Sequence, residues 1–355
     1  MKSRTVWMLA SVLAIIISQI PLHAAYTIKN GRLVDVCEVA TRPVQEHFAM
    51  GAIAYDDGKW KEATHQFRIV TSNFPGTVYG QEAYFYLGVS EFYLAEYDLS
   101  NAALSEYLRC QNNPRYFQDA INYKFAIAEK FACGAKRRFF GTKKLPKWIE
   151  GKELAIEIFD EVIAAVPAHE IAAQSLMSKG YLQWELGDYR GSIESFQLVI
   201  RRFPKHELAP ECYVLISHVY VDQSQYEYQN PDILAFAEIN LIRFQKDFPR
   251  EARIVELEAD LAEIKEIYAN GLYQTGQFYE RTLHPRAAII YYYNAIHQFP
   301  DTCIGELCRE RLQCLDKNYC DPYEGDEDDS PEEIQEEEFP RAGETIERTT
   351  QLMGA

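Results

Sequence analysis

Apolar positions recur at helical spacing, in segments one helix long, across most of residues 44–315. Six of these segments are closed by a proline: Pro75, Pro114, Pro167, Pro204, Pro249 and Pro300. Ahead of five of the prolines one frame returns, with a small residue twelve positions before and a large apolar one eight before. The pairs are Ala63 and Phe67, Ala155 and Phe159, Ser192 and Phe196, Ala237 and Leu241, and Ala288 and Tyr292. Such a frame predicts stacked two-helix units. The small residue lies where one helix crosses its neighbour and the large one fills the space between helices. Proline, with no N–H and a ring that clashes with the preceding turn, stops the helix. The expected fold class is all-α, a solenoid of about six helical hairpins spanning residues 44–320.

The pattern predicts helices over 44–56 and 60–73, joined at Asp57-Gly58, then over 82–95, 100–110 and 117–132. It resumes over 152–166, 172–186 and 192–202, the last two joined at Gly187-Asp188, and continues over 210–223, 232–247 and a long 254–281. Leu283-His284-Pro285 breaks it before 286–298 and 303–315. Residues 25–43 have no helical period and contain Asn30-Gly31 and Pro43, which reads as an irregular lead-in. Residues 134–151 interrupt the repeat with Lys136, Arg137, Arg138, Lys143, Lys144 and Lys147 beside Phe139, Phe140 and Trp148.

Composition changes this picture at the two ends. The formal charge is −17, but residues 321–355 hold 13 acids and 2 bases, so the remainder is only mildly acidic. That acidic stretch is poor in apolar residues and cannot offset the entropy of ordering, so it is expected to be a disordered tail. No broad basic face remains, which sets nucleic-acid binding aside. At the other end, Lys2 and Arg4 precede an apolar run from Val6 to Ile17 and then Pro21-Leu22-His23-Ala24. Residues 1–24 therefore read as a signal peptide, the run being shorter than the ~20 residues a bilayer span needs, with an uncleaved anchor as the weaker alternative. No cysteine follows the expected cut, the first being Cys37, so a lipid-attachment cysteine is missing and the mature protein is expected to be exported to the periplasm.

Eight cysteines in an exported chain raise the question of disulfides. Cys303 and Cys314 would share a helix face about 16 Å apart, beyond disulfide reach. No CxxC pair occurs, so a structural zinc site is not expected. Buried cysteine acting as a small apolar residue is one reading, and bridges to another helix or chain are the other. Catalytic motifs are lacking too. His169-Glu170 and His206-Glu207 have no second histidine three residues beyond the glutamate, and there is no GxSxG, P-loop or dinucleotide fingerprint. A non-catalytic protein without cofactor is expected. The basic insertion has three readings: a contact with anionic headgroups or an acidic partner, a solvated insertion between repeats, or a contact with the chain's own acidic tail.

The repeat frame resembles the tetratricopeptide repeat, and Met50-Gly51, Leu87-Gly88 and Lys179-Gly180 sit where that repeat's first helix carries a small residue for close approach. Two stretches are more particular. Residues 58–79, GKWKEATHQFRIVTSNFPGTVY, with 81–88, QEAYFYLG, resemble the opening of the BamD/ComL family of outer-membrane barrel assembly proteins. Phe278-Tyr279-Glu280-Arg281, Ala287-Ala288 and Phe299-Pro300-Asp301-Thr302 resemble that family's last repeat. The correspondence covers about residues 44–130 and 230–315, with 150–210 reading as an additional repeat.

That resemblance implies a scaffold at the periplasmic face of the outer membrane which docks the barrel-inserting protein and meets unfolded outer-membrane protein segments. Phe278, Tyr279 and Arg281 would carry the docking, a guanidinium being able to hold a carboxylate bidentately. The competing reading of Arg281 is an exposed residue at a helix C-terminus. Tetratricopeptide geometry would place Phe48, Tyr55, Phe85, Phe92 and Tyr93 on the concave side as a peptide-binding lining, core packing being the alternative. A general peptide-binding or cell-envelope adaptor, and a binder of anionic membrane surfaces through the basic insertion, are the other functions left open.

Overall fold

Every amphipathic segment is a helix in the computed structural model, which describes residues 26–29, 32–35, 38–110, 112–139, 146–227 and 230–315. The helices are α1 (Val44–Asp56), α2 (Trp60–Asn73), α3 (Val78–Tyr93), α4 (Tyr97–Cys110), α5 (Phe117–Ala132), α6 (Lys152–Ala165) and α7 (Glu170–Glu185). They continue with α8 (Tyr189–Arg202), α9 (Leu208–Tyr226), α10 (Pro231–Asp247), α11 (Ile254–Arg281), α12 (Pro285–Gln298) and α13 (Cys303–Leu315). The signal segment, the acidic tail, Lys143, Lys144, Cys37 and Cys320 lie outside the described residues.

Helix ends follow local chemistry. Five of the six helices closed by proline stop two residues before it, as a missing N–H and a ring clash require. Seven helices begin one to four residues earlier than periodicity placed them, and four of these are capped by a polar side chain just ahead, three of them as follows. The Thr77 hydroxyl accepts from Gly80 N–H at 3.0 Å, His169 Nδ1 accepts from Ile171 N–H at 3.2 Å, and the Asp188 carboxylate accepts from Gly191 N–H at 3.0 Å.

The chain divides within α11 into two units, Met1–Ile264 and Lys265–Ala355. In the first, consecutive helices pair as antiparallel hairpins, α1 with α2 through to α9 with α10. The first helices of successive hairpins also touch, α1 on α3, α3 on α5, α5 on α7 and α7 on α9, so they form one layer with the second helices behind it. This is the tetratricopeptide type of all-α solenoid. In the second unit α12 and α13 close a core of Ala288, Tyr292, Ala295, Ile296, Cys308 and Leu312.

The repeat frame works as packing demands. Ala63, Phe67, Ala155, Phe159, Ser192, Phe196, Ala288 and Tyr292 are all fully buried. Leu241 is the exception, half-buried while Phe244, one turn on, fills the core in its place. The facing helix must then lack a side chain. A Cβ on Gly180 would stand 2.6 Å from the Phe196 ring, and Gly51, Gly88 and Gly276 meet Phe67, Leu104 and Tyr292 in the same way.

Two segments depart from expectation. The lead-in, read as irregular, contains an antiparallel hairpin of β1 (Tyr26–Lys29) and β2 (Arg32–Asp35), with Lys29 opposite Arg32. Asn-Gly between two short alternating runs is a strong hairpin signal, and it outweighs the lack of helical period. The basic insertion is also a hairpin, β3 (Lys136–Arg138) paired with β4 (Lys147–Glu150), with a register irregularity between Arg137 and Arg138.

Candidate functional site

The first-helix layer of unit one carries a dense aromatic face. Phe48 on α1 meets Phe67, Tyr79 and Tyr86, its ring centroids 5.2 to 5.9 Å from theirs. Tyr55 stands edge-on to Trp60 and Tyr86, and Trp60 stacks flat on Tyr93 at 4.3 Å. Tyr93 keeps 53% of its surface exposed while Phe48, Tyr55 and Phe92 are half-buried. Offset and edge-to-face pairs of this kind hold a rigid apolar surface with polar hydroxyl tips.

Phe85, expected on the open face, is buried. Its ring stacks on Tyr116 at 4.6 Å and tilts against Tyr107, so it is core between two hairpins and not available to a ligand. The physical reason is helical phase. One residue further on, Tyr86 is half-buried and touches Phe48, Tyr55 and Phe67, while its hydroxyl lies 3.0 Å from that of Tyr116. Burial and these neighbouring hydroxyls and carboxylates push the phenols of Tyr55, Tyr86 and Tyr123 upward, so they stay neutral donors. Sequence reasoning missed Trp60, Tyr86, Tyr116 and Tyr123. The tyrosines at 79, 86 and 93 repeat every seven residues, a spacing that places them along one helix face.

The basic insertion is largely spoken for within unit one. Arg138 is buried, its Nη1 donating to Asp98 at 2.8 Å, its backbone N–H to the same carboxylate at 3.1 Å, and its Nη2 to Glu96. Lys147 pairs with Glu96 at 2.9 Å and donates to the Ala95 carbonyl at 2.7 Å. Ala95 itself has φ of +58°, the tight turn between α3 and α4 that exposes that carbonyl. Burial raises the pKa of Glu96, but hydrogen bonds from Lys147 and Arg138 outweigh it and hold the carboxyl below its usual range. Of the expected cations, Lys136 is exposed and Arg137 half-buried, so Arg138 and Lys147 serve the fold before any surface.

In the second unit the expected docking segment ends α11. Phe278 is exposed, Tyr279 is half-buried and stacked on Tyr291 at 5.3 Å, and Arg281 is exposed. Arg281 makes no ion pair among the described residues, whereas Glu280 beside it is engaged by Arg311 and by the Tyr292 hydroxyl. Leu283, 87% exposed with φ of +64°, turns the chain into α12. Six cysteines are free thiols, Cys110, Cys133, Cys212, Cys303, Cys308 and Cys314, and no metal-holding cluster occurs among the described residues. No helix there is long and apolar enough to cross a membrane.

Stacked hairpins with a rigid aromatic face define a tetratricopeptide-type protein-binding adaptor. Residues 150–321 match the family model YfiO, described as an outer membrane lipoprotein, and the chain resembles the BamD-like proteins. The match lies differently from the sequence expectation: it includes 150–210, read there as additional, and begins after 44–130. No curated protein matches the chain. Among solved structures, a tetratricopeptide repeat protein from Parabacteroides merdae ATCC 43184 is 14% identical, covering 77% of this chain and 98% of its own with a TM-score of 0.34. MamA from Desulfovibrio magneticus RS-1 is 15% identical, covering 61% and 95%, with a TM-score of 0.32.

Proposed function

We propose that this chain is a non-catalytic, exported scaffold at the periplasmic face of the outer membrane, serving assembly of outer-membrane β-barrel proteins. The observation that carries the reading is the family match over 150–321, a region that contains the exposed Phe278 and Arg281. In this reading Arg281, with Phe278 and Tyr279, docks a carboxylate-bearing surface of the barrel-assembly partner. A charged side chain free of internal partners is available for a new bidentate pair, and its aromatic neighbours supply the apolar contact that such pairs sit beside. The aromatic face of unit one, with Phe48, Tyr55, Phe92 and Tyr93, receives extended segments of unfolded outer-membrane proteins. Alternating residues of an extended chain present one apolar row to such a face.

The test is an affinity capture of the mature protein from envelope extract, wild type beside Arg281→Glu, with bound proteins identified by mass spectrometry. A large outer-membrane barrel protein is expected with wild type and absent with the charge reversal. Capture of no barrel protein by either would overturn the assembly role and leave a general envelope adaptor. Equal capture by both would remove Arg281 from the docking surface.

A further inference from the structure

The first-helix layer carries a cleft that the aromatic face does not include. It lies between α5 and α7, with a volume of about 410 Å³. Its floor is apolar: Ala132, Phe159 and Leu182, of which Phe159 and Leu182 are buried. Its rim is polar, with Glu129, Tyr181 and Glu185 exposed. Helical period makes the cleft. Residues 178, 181, 182 and 185 fall on one face of α7, and 129, 132 and 133 continue one face of α5.

The two carboxylates are not equivalent. Glu185 is held by Lys152 at 2.6 Å. Glu129, by contrast, pairs with no side chain among the described residues, Lys130 being its charged neighbour. Burial raises its pKa, with Lys130 beside it acting the other way. Glu129 is thus an exposed, unpaired carboxylate at the edge of an apolar floor, open to a cation from outside.

We infer that this cleft takes the side chain of a lysine or arginine from an extended protein segment crossing the first-helix layer. The methylene stem lies on Phe159, Leu182 and Ala132, and the cationic head meets Glu129, with the Tyr181 ring beside it. Charge complementarity selects this occupant. A purely apolar side chain would cover Glu129 without pairing it, and an acidic one would face two carboxylates. The volume accommodates one long side chain with the backbone that carries it. The inference rests on the reading that the chain binds extended segments, and it adds a charge preference to that binding.

The probe is a fluorescein-labelled twelve-residue peptide alternating aromatic and polar residues, with one central arginine, beside the same peptide carrying neutral, isosteric citrulline. Binding is followed by fluorescence anisotropy to wild type, Glu129→Gln and Ser178→Trp, the last chosen to fill the cleft, with far-UV circular dichroism confirming that both variants are folded. The arginine peptide is expected to bind wild type about tenfold more tightly, and Glu129→Gln to abolish that difference, since a hydrogen-bonded charge pair is worth roughly tenfold or more in affinity. Ser178→Trp is expected to weaken the arginine peptide and leave the citrulline peptide little changed. Equal affinity of both peptides for wild type, or a preference that survives Glu129→Gln, overturns the cleft assignment and leaves segment binding standing. Failure of both peptides to bind wild type overturns the cleft assignment and segment binding together.

Discussion

Arg138→Met tests whether the basic hairpin is a structural clasp. The side chain is buried and meets Asp98, itself buried, and Glu96, across the turn between α3 and α4. Removing one partner of a buried ion pair typically costs about 3 to 5 kcal/mol, because the other charge is left uncompensated. Here Asp98 keeps two backbone donors, Leu99 N–H at 3.0 Å and position 138 N–H, and Glu96 keeps Lys147, which places the loss near the low end, about 3 kcal/mol. Hydrogen–deuterium exchange of peptides spanning β3 and β4 reads this locally. A loss of about 3 kcal/mol corresponds to roughly a hundredfold faster exchange. Lys147→Ala, removing a more exposed partner, should change exchange less than about fivefold. The pH dependence has a definite sign. The folded Glu96 carboxyl lies below its unfolded value of about 4.5, so its contribution is full above that pH and is lost as pH falls through the folded value. Wild-type hairpin protection should therefore hold from neutral pH down to about 5 and weaken in stronger acid. Less than threefold faster exchange in Arg138→Met at pH 7 would refute the clasp and return the whole segment to surface chemistry.

Gly180→Ala is expected to destabilise unit one by about 1 to 2 kcal/mol in urea denaturation. The overlap with Phe196 costs about 1 to 3 kcal/mol and alanine's helix preference returns about 1 kcal/mol, so the expected loss takes the middle to upper part of that cost, and in a Phe196→Leu background Gly180→Ala should cost much less than in wild type. A stabilised single variant would mean that α7 and α8 do not touch there. Burial pushes the Cys212 and Cys308 thiols up to about 12, so a disulfide reagent at pH 8 should leave both unmodified in the folded protein while exposed Cys133 and Cys314 react. Peptide mapping that finds Cys212 modified as fast as Cys314 would contradict the α9 packing.

Helix positions were legible because each repeat encodes its own stop and its own crossing point. Ala63, Phe67 and Pro75 need no knowledge of the rest of the chain to be read, and α1, α2, α5, α11 and α13 have the bounds that periodicity predicts. Starts governed by a single side-chain cap, such as Thr77, were less legible, since threonine also suits turns. The cleft was not legible. Glu129 and Tyr181 are 52 residues apart, and their juxtaposition depends on how α5 and α7 are stacked by the hairpin between them. Long-range placement of that kind leaves no local pattern.

The same residue type has opposite fates at 138 and 281, and the difference is topological. Arg138 follows a helix-to-strand turn that folds back over α4, where Asp98 and Glu96 await it, so its charge is consumed by the fold. Arg281 is the last residue of α11, where the chain turns away through Leu283, and the carboxylate nearest in sequence, Glu280, is already engaged by Arg311. A guanidinium whose neighbour is neutralised internally carries its full charge outward. Glu129 is the acidic counterpart, its rim neighbour Glu185 being held by Lys152. In both places internal pairing of one charge leaves the adjacent one free, which is how a mildly acidic repeat protein can present isolated charges of either sign to partners without a broad charged face.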